Sequence, residues 1–191
     1  MASRARERLV ETAERLFYAE GIRAVGVDRL LQESGVGRAS FYRHFSGKDE
    51  LVVEVLERRD QAWRAWLAER VVAHGGGPLA VFDALEERFA RADFRGCAFL
   101  NTMVESADPA SAAHRVAAQH KRQVIAFLSD LLAPLGIDGQ QAQSLAHRLM
   151  LLMDGAIVTA VREQSTQPAA HAREMAAVLI AGTAGPVDGA G

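Results

Sequence analysis

The segment 38–48 is rich in side chains that donate hydrogen bonds or carry positive charge. They are Arg38, Ser40, Tyr42, Arg43, His44 and Lys48. Donors and cations of this kind contact the phosphates of a duplex and the base edges in its major groove. Lys48 falls in the first turn of a predicted helix, where free backbone N–H groups add to its attraction for phosphate. The alternative is a surface helical hairpin whose charges are simply solvated.

The spacing of apolar residues predicts that two short helices, 27–34 and 38–45, present this segment. Gly35 lies in the tight turn between them and can adopt the left-handed backbone that such a turn requires. Val36 is expected to fill the space between the two helices. Two aromatic side chains four residues apart are expected to pack inward: Phe41 and Phe45. This pattern is typical of a helix-turn-helix, whose second helix enters a major groove.

Helical periodicity continues along the rest of the chain, and no alternating apolar and polar run predicts a strand. The sequence therefore predicts an all-α fold of about nine helices. They cover approximately 4–20, 27–34, 38–45, 46–72, 79–92, 97–107, 108–133, 140–164 and 168–181. Two helix starts have capping patterns: Ser46 with Asp49 resembles a capping box, and Asp108 precedes a proline at the first helical position.

Composition excludes several classes of protein. The chain has 191 residues, of which 49% are hydrophobic and 24% charged, so a disordered chain is excluded. A single cysteine permits neither an internal disulfide nor a thiolate zinc cluster. The first residues do not resemble a secretion signal, and the apolar run 149–161 is shorter than the ~20 residues that span a bilayer. We expect a soluble, cytoplasmic protein with no membrane partner.

The charges are divided unevenly along the chain. Residues 1–48 contain nine basic and six acidic residues, a net charge of +3, whereas the remainder contains thirteen basic and eighteen acidic residues, a net charge of −5. A basic N-terminal part on an acidic body indicates that only the N-terminal part meets a polyanion.

No catalytic or metal-binding pattern is present in the sequence. The six histidines lack the spacing of a metal site, and no nucleophile elbow or phosphate-binding loop occurs. We therefore expect no catalytic residue, no metal and no cofactor. A small all-helical enzyme, with a site assembled from distant residues, is the alternative.

The segment 35–51, Gly-Val-Gly-Arg-Ala-Ser-Phe-Tyr-Arg-His-Phe-Ser-Gly-Lys-Asp-Glu-Leu, resembles the DNA-binding signature of the TetR family of transcriptional regulators. The resemblance covers about fifty residues and includes four upstream positions: Phe17, Gly21, Val27 and Leu30. It implies a homodimer with an N-terminal three-helix helix-turn-helix domain, 1–47, and a C-terminal helical ligand-binding and dimerisation domain, 48–182. A flexible tail is expected at 183–191. Most members are repressors that leave a DNA operator when a small-molecule effector binds.

The resemblance also assigns roles within the segment. Tyr42 and Lys48 match positions that clamp phosphates, while Arg38, Ser40, Arg43 and His44 match positions that contact phosphates or bases. Val27 and Ala39 complete the expected DNA-binding set, although Ala39 stands where glycine is common. Gly26 and Gly37 stand where the family often has a capping Ser or Thr.

The C-terminal half carries two further expectations. The helix around 149–158 is apolar on nearly all sides, so with Met175, Val178, Leu179 and Ile180 it predicts a four-helix dimer interface. The alternative is the central core helix of a monomer. Candidate ligand-binding residues are Trp63, Trp66, Phe82, Phe99, Asn101, Met103, Phe127, Met153 and Asp154. Apolar residues at this helical spacing are more often core than pocket lining, and the alternative for Asn101 and Asp154 is internal pairing or exposure to solvent.

Cys97 follows Arg95 and Gly96 at a predicted helix start, a setting that can lower the pKa of a thiol. A redox or electrophile sensor is therefore an alternative function, against a buried and inert thiol. A helical protein that binds small molecules without binding DNA is the other alternative.

Overall fold

The computed structural model describes residues 4–106 and 108–183. Within these residues the fold is all-helical, as predicted. The nine α-helices are α1 Arg4–Glu20, α2 Val27–Ser34, α3 Arg38–His44, α4 Lys48–Ala73, α5 Ala80–Phe89, α6 Ala98–Glu105, α7 Ala112–Leu132, α8 Gly139–Glu163 and α9 Gln167–Thr183. A 3₁₀ turn, Ala133–Leu135, follows α7. The predicted tail begins at the last residue of α9, and its remainder, 184–191, lies outside the described residues.

Two helix starts differ from the capping prediction. The backbone N–H of Ser46 donates to Glu50 Oε2 at 2.6 Å, so Glu50 and not Asp49 reaches back at the start of α4. Asp108 accepts from the backbone N–H of Ala110 at 2.9 Å and so closes a turn, not a helix. The hydroxyl of Ser111 accepts from the backbone N–H of His114 at 3.2 Å, and α7 begins one residue after Ser111.

The chain divides into two compact units, Met1–Trp63 with Cys97–His120 and Arg64–Gly96 with Lys121–Gly191. The first unit has a core of buried side chains from α1, α2 and α3 that continues into the first half of α4. Phe99 of α6 and Ala117 of α7 belong to the same core. This core runs across residue 47, and the division into domains 1–47 and 48–182 stays a prediction.

The second unit is built around α8. Nine residues of α8 are buried, and the helix packs against α9 and α5. Its one acidic residue within the apolar stretch, Asp154, is paired with Lys121 of α7 at 2.5 Å between Oδ1 and Nζ. A buried or half-buried charge is stable only when it is paired in this way.

Within the described part of the chain, α8 alone is long and apolar enough, by length and composition, to cross a membrane. The apolar run 149–161 is shorter than α8, because the helix extends beyond the run at both ends. Burial against α5 and α9 accounts for the apolar residues on one side of α8, while Leu151, Val158 and Val161 remain exposed on the other.

Candidate nucleic-acid interface

The turn between α2 and α3 has the predicted geometry. Gly35 ends α2 in the left-handed region, with φ 63° and ψ 25°. Val36 is buried between the helices, as expected. The hydroxyl of Ser34 accepts from the backbone N–H of Val36 at 3.3 Å and lies 3.4 Å from the carbonyl oxygen of Leu31, to which it donates. We did not predict this role of Ser34 from the sequence, although Ser before Gly is a common turn signal.

Helix α3 has one buried and one exposed side. Phe41 is fully buried and Phe45, just after the helix, is nearly so, with ring centroids 6.0 Å apart. Tyr42 is 53% exposed and stands edge-on to Phe41 at 5.1 Å between centroids. The inward packing of the two phenylalanines is confirmed, and it turns the polar side of α3 outward.

The eight predicted DNA-binding residues lie on α3 and at the starts of α2 and α4, and none of them is fully buried. Arg38, Ala39, Tyr42 and Arg43 are exposed, and Val27, Ser40, His44 and Lys48 are half-buried. Val27 opens α2 and packs partly against the first unit's core. Arg43 Nη2 donates to Ser40 Oγ at 3.0 Å, so these two side chains are held together on the surface. Their roles as DNA contacts stay a prediction.

Both helices of the motif begin at a glycine. Gly26 and Gly37 have extended backbones and provide no side-chain cap, as their residue type requires. The first backbone N–H groups of α2 and α3 therefore lack a capping oxygen from these residues. Helix starts of this kind attract anions, because the N–H groups and the helix dipole both favour negative charge.

Lys48 is the first residue of α4. Glu50 in the same turn accepts from Ser46, and these hydrogen bonds, first from the backbone N–H and then from the hydroxyl, hold the pKa of Glu50 below its ordinary value. An ionised Glu50 suits the positive end of α4. The Glu50 contact therefore fixes the chain that leads from α3 to Lys48.

Surface ion pairs and one hydrogen bond link α1 to α2 and to the turn that follows α2. Glu33 of α2 accepts from Arg15 at 3.0 Å and from Arg29 at 3.2 Å, and these two hydrogen bonds lower the pKa of Glu33. Arg29 also donates to Glu20 at 3.2 Å. Arg8 of α1 donates to the carbonyl oxygen of Gly35 at 3.2 Å, which anchors the turn directly to α1.

A second set of pairs joins α1 to the first half of α4. Arg6 and Glu54 lie 2.7 Å apart, Arg59 and Glu14 lie 3.5 Å apart, and Arg58 contacts Glu7. The hydrogen bond with Glu7 raises the pKa of Arg58. Together with the apolar core that they share, these pairs join α1 to the first half of α4.

Helix α6 is tied to the turn after α1 through its last residue. Glu105 Oε2 accepts from the backbone N–H of Arg23 at 2.8 Å, between residues 82 apart in the chain. The carboxylate also lies against Gly21, where a Cβ would stand 3.1 Å from Oε1. Gly21 has φ 91°, so both its backbone and its neighbour favour glycine.

Four of the nine candidate ligand-binding residues lie in the first unit: Trp63, Phe99, Asn101 and Met103. His120 Nδ1 lies 2.7 Å from Asp60 Oδ1, and both side chains are buried. Phe99 stacks on the His120 ring at 3.6 Å and Trp63 meets it edge-on at 5.1 Å. Met103 packs against the core, and exposed Asn101 lies at a cleft lined by α1, α4 and α6.

The other five candidates lie in the second unit: Trp66, Phe82, Phe127, Met153 and Asp154. Phe82 and Met153 are fully buried, Trp66 and Phe127 are half-buried, and Asp154 is paired with Lys121. Cys97 is the N-cap of α6, provides no capping hydrogen bond, and packs half-buried against the core of the first unit. No group of three or more potential metal ligands occurs among the residues the structure describes.

A basic, donor-bearing second helix held against a buried aromatic pair defines a helix-turn-helix DNA-binding protein. Residues 9–55 match the family described as bacterial regulatory proteins, tetR family. Residues 79–175 match a C-terminal domain described as transcriptional regulator LmrA/YxaF-like. The chain belongs to the TetR family of DNA-binding transcriptional regulators, a family of non-enzymatic proteins.

The similarity to known proteins extends over nearly the whole chain. An uncharacterized HTH-type transcriptional regulator of Mycobacterium tuberculosis, Rv0196, is 31% identical over 92% of this chain and 94% of its own. The crystal structure of SCO4454, a TetR-family transcriptional regulator from Streptomyces coelicolor, matches with a TM-score of 0.86 and 34% identity, over 96% of this chain and 92% of that one. Escherichia coli NemR in its reduced form matches with a TM-score of 0.78 and 26% identity, over 92% and 96% of the two chains.

Proposed function

We propose that this protein is a homodimeric repressor that binds a palindromic double-stranded DNA operator and leaves it when a small apolar ligand binds. The observation that carries the proposal is the outward polar side of α3, where Arg38, Tyr42 and Arg43 are exposed over a buried Phe41. Together with Ser40, His44 and Lys48 they provide the donors and cations that phosphates and base edges accept. The protein acts in the cytoplasm, where its DNA target lies.

A second copy of the chain is the partner that fits the apolar outer side of α8 and α9. Five large apolar side chains on these two helices are exposed: Leu151, Val158, Val161, Met175 and Val178. Several large apolar side chains exposed on two helices that pack together are typical of a protein interface. A dimer formed through this surface has a two-fold axis, and a palindromic operator has the matching symmetry.

Helix α4 provides a route from ligand to DNA. It begins at Lys48 and contains Trp63 and Trp66, two of the candidate ligand-binding residues. A ligand that shifts α4 changes the separation of the two α3 helices in the dimer, while a palindrome demands half-sites about 34–36 Å apart. A coupling of about 1–3 kcal/mol weakens DNA binding by ~5- to ~150-fold.

Selection from random duplex DNA tests the DNA-binding part of the proposal, and we expect a palindromic sequence. A metabolite library is then screened for compounds that release the protein from this selected duplex. Any compound found is titrated calorimetrically into the protein with and without the duplex. Because coupling is reciprocal, the duplex must weaken ligand binding by the same factor. Equal affinities in the two titrations would exclude that compound as an effector.

Cys97 supports a second candidate function, that of a redox or electrophile sensor. Cys97 is the N-cap residue of α6, and Glu105 at the other end of α6 accepts a hydrogen bond from the turn after α1. NemR, which is similar to this chain, was solved in its reduced form. Mild oxidant should then release the selected duplex from the wild-type protein and not from Cys97→Ser. An equal response of the two proteins, or none, would leave Cys97 as a packing residue.

A further inference from the structure

Asp28 and Arg38 form an ion pair at the outer surface of the helix-turn-helix. Asp28 is the second residue of α2 and Arg38 is the first residue of α3. The guanidinium Nη2 of Arg38 donates to Asp28 Oδ1. The side chains are 58% exposed for Arg38 and 83% exposed for Asp28, so the pair lies on the surface where the two helix starts meet.

The stability of the fold does not account for this pair. An ion pair with two exposed partners contributes little to folding, because water already solvates both charges. A cation at the first residue of a helix faces the positive end of the helix dipole, which is unfavourable. Asp28 suits the start of α2, but Arg38 stands at a position that helix formation in α3 disfavours. The placement of Arg38 therefore indicates binding.

The pair constrains how Arg38 can bind. A guanidinium has five N–H donors in a fixed plane, and the bond to Asp28 leaves most of them for another acceptor. The pair biases the orientation of the Arg38 side chain, and a side chain that already favours its bound orientation loses less conformational freedom when it binds. The O6 and N7 atoms of guanine are the acceptor pair that an arginine contacts most often in a major groove.

Asp28 also carries a negative charge beside a surface that meets phosphates. This charge repels every duplex, and only a duplex that engages Arg38 compensates the repulsion. A carboxylate at this place therefore weakens binding to incorrect sequences more than to the correct one, which is a means of specificity.

We infer that Asp28 is a specificity-determining residue, which holds Arg38 in position to recognise a guanine in each half-site of the operator. This inference rests on the proposed DNA interface. Asp28 itself is a positioning residue, and Arg38 is the residue that contacts the base.

The experiment compares two duplexes by fluorescence anisotropy at one salt concentration. The first is the duplex that the wild-type protein selects from random DNA. In the second duplex, the guanine that Arg38 contacts is replaced in both half-sites. This guanine is the one whose replacement weakens DNA binding by the wild-type protein but not by Arg38→Ala. The ratio of the two dissociation constants measures discrimination.

Asp28→Asn should reduce this discrimination ratio by about fivefold or more. A change of about fivefold corresponds to the lower end of the discrimination that one bidentate arginine–guanine contact provides. Binding to the replaced duplex should become tighter, because a repelling charge is lost. Asp28→Ser should behave in the same way, and thermal melting verifies that both variants fold.

Glu33→Gln is the matched control. Glu33 lies on the same helix and is also paired, but with Arg15 and Arg29. Its replacement removes the same charge and should leave the discrimination ratio unchanged. In an Arg38→Ala background, Asp28→Asn should likewise leave the ratio unchanged.

Four results would overturn the inference: an unchanged ratio in Asp28→Asn, an equal change in Glu33→Gln, a change that persists without Arg38, or no guanine that depends on Arg38. Each of these leaves the proposed DNA interface intact, provided that the wild-type protein selects a palindrome. Failure to select any duplex would instead overturn the proposed function, and this inference with it.

Discussion

The outer side of α3 and the outer sides of α8 and α9 are both exposed surfaces of helices whose other sides are buried. On α3 the large exposed side chains are Arg38, Tyr42 and Arg43, whereas α8 and α9 expose large apolar side chains of Leu, Val and Met among charged ones such as Arg162. The first surface fits a polyanion that accepts hydrogen bonds, and the second fits another apolar surface. The contrast teaches that the chemistry left exposed on a helix, and not its fold, identifies its partner.

The two surfaces also differ in how they are supported. Helix α3 has seven residues and one fully buried side chain of its own, Phe41, so its position depends on the turn at Gly35, whose carbonyl oxygen accepts a hydrogen bond from Arg8 of α1. Helix α8 has nine buried residues and is positioned by its own packing. We therefore expect single substitutions near α3 to alter DNA binding and single charges on α8 and α9 to alter assembly.

The largest expected effect comes from placing charge on the apolar surface. Leu151→Asp combined with Val178→Asp should convert the dimer to a monomer. A buried unpaired charge costs about 3–5 kcal/mol, and a two-fold interface contains each substitution twice. Light scattering coupled to size-exclusion chromatography measures the change.

Val104→Asp is the control for this experiment. Val104 is 85% exposed on α6, so the change adds one such charge at an exposed valine outside α8 and α9. It should leave the dimer intact. A double variant that stays dimeric would show that the subunits meet at another surface.

A smaller effect is expected at the turn that supports α3. Gly35→Ala should lower the free energy of unfolding by about 1–2 kcal/mol, because alanine is strained in the left-handed backbone that Gly35 adopts. Gly37→Ala, at an extended position with nothing within 4 Å of an added Cβ, should cost less. Urea unfolding compares the two variants, and equal losses would contradict the role given to the backbone of Gly35.

The smallest effect is expected at the start of α4 and depends on pH. Because the folded protein holds the pKa of Glu50 below its ordinary value of 4.5, the ionised carboxylate stabilises the fold above that pH. This stabilisation is lost as the pH falls through the lowered pKa. Glu50→Gln should therefore be less stable than the wild-type protein at neutral pH, and the difference should shrink in acid.

Glu57→Gln, on the exposed side of the same helix, is the control for Glu50→Gln. Urea unfolding at several pH values measures all three proteins. A difference between the wild-type protein and Glu50→Gln that does not change with pH would contradict the Glu50 contact with Ser46.

The local features of the motif were predictable from sequence, and the long-range contacts were not. Gly35, Val36 and Phe41 act through near neighbours, so residue type and spacing predicted their places. The capping prediction at Ser46 failed because Glu50, next to Asp49, takes the N–H group of Ser46. The prediction at Asp108 failed because Asp108 closes a turn with Ala110 and α7 begins only after Ser111. Contacts such as Glu105 with Arg23, 82 residues apart, have no local signal and depend on how helices pack.

The salt dependence of DNA binding tests the central claim, that the surface formed by α3 and the start of α4 neutralises DNA phosphates. The logarithm of the binding constant for the selected duplex is plotted against the logarithm of salt concentration for the wild-type protein, Lys48→Ala and Arg162→Ala. Lys48→Ala should weaken binding to all sequences and reduce the slope by about one unit for each subunit. Arg162→Ala, which removes an exposed cation from α8, should leave the slope unchanged. A slope that Lys48→Ala does not alter would contradict the account.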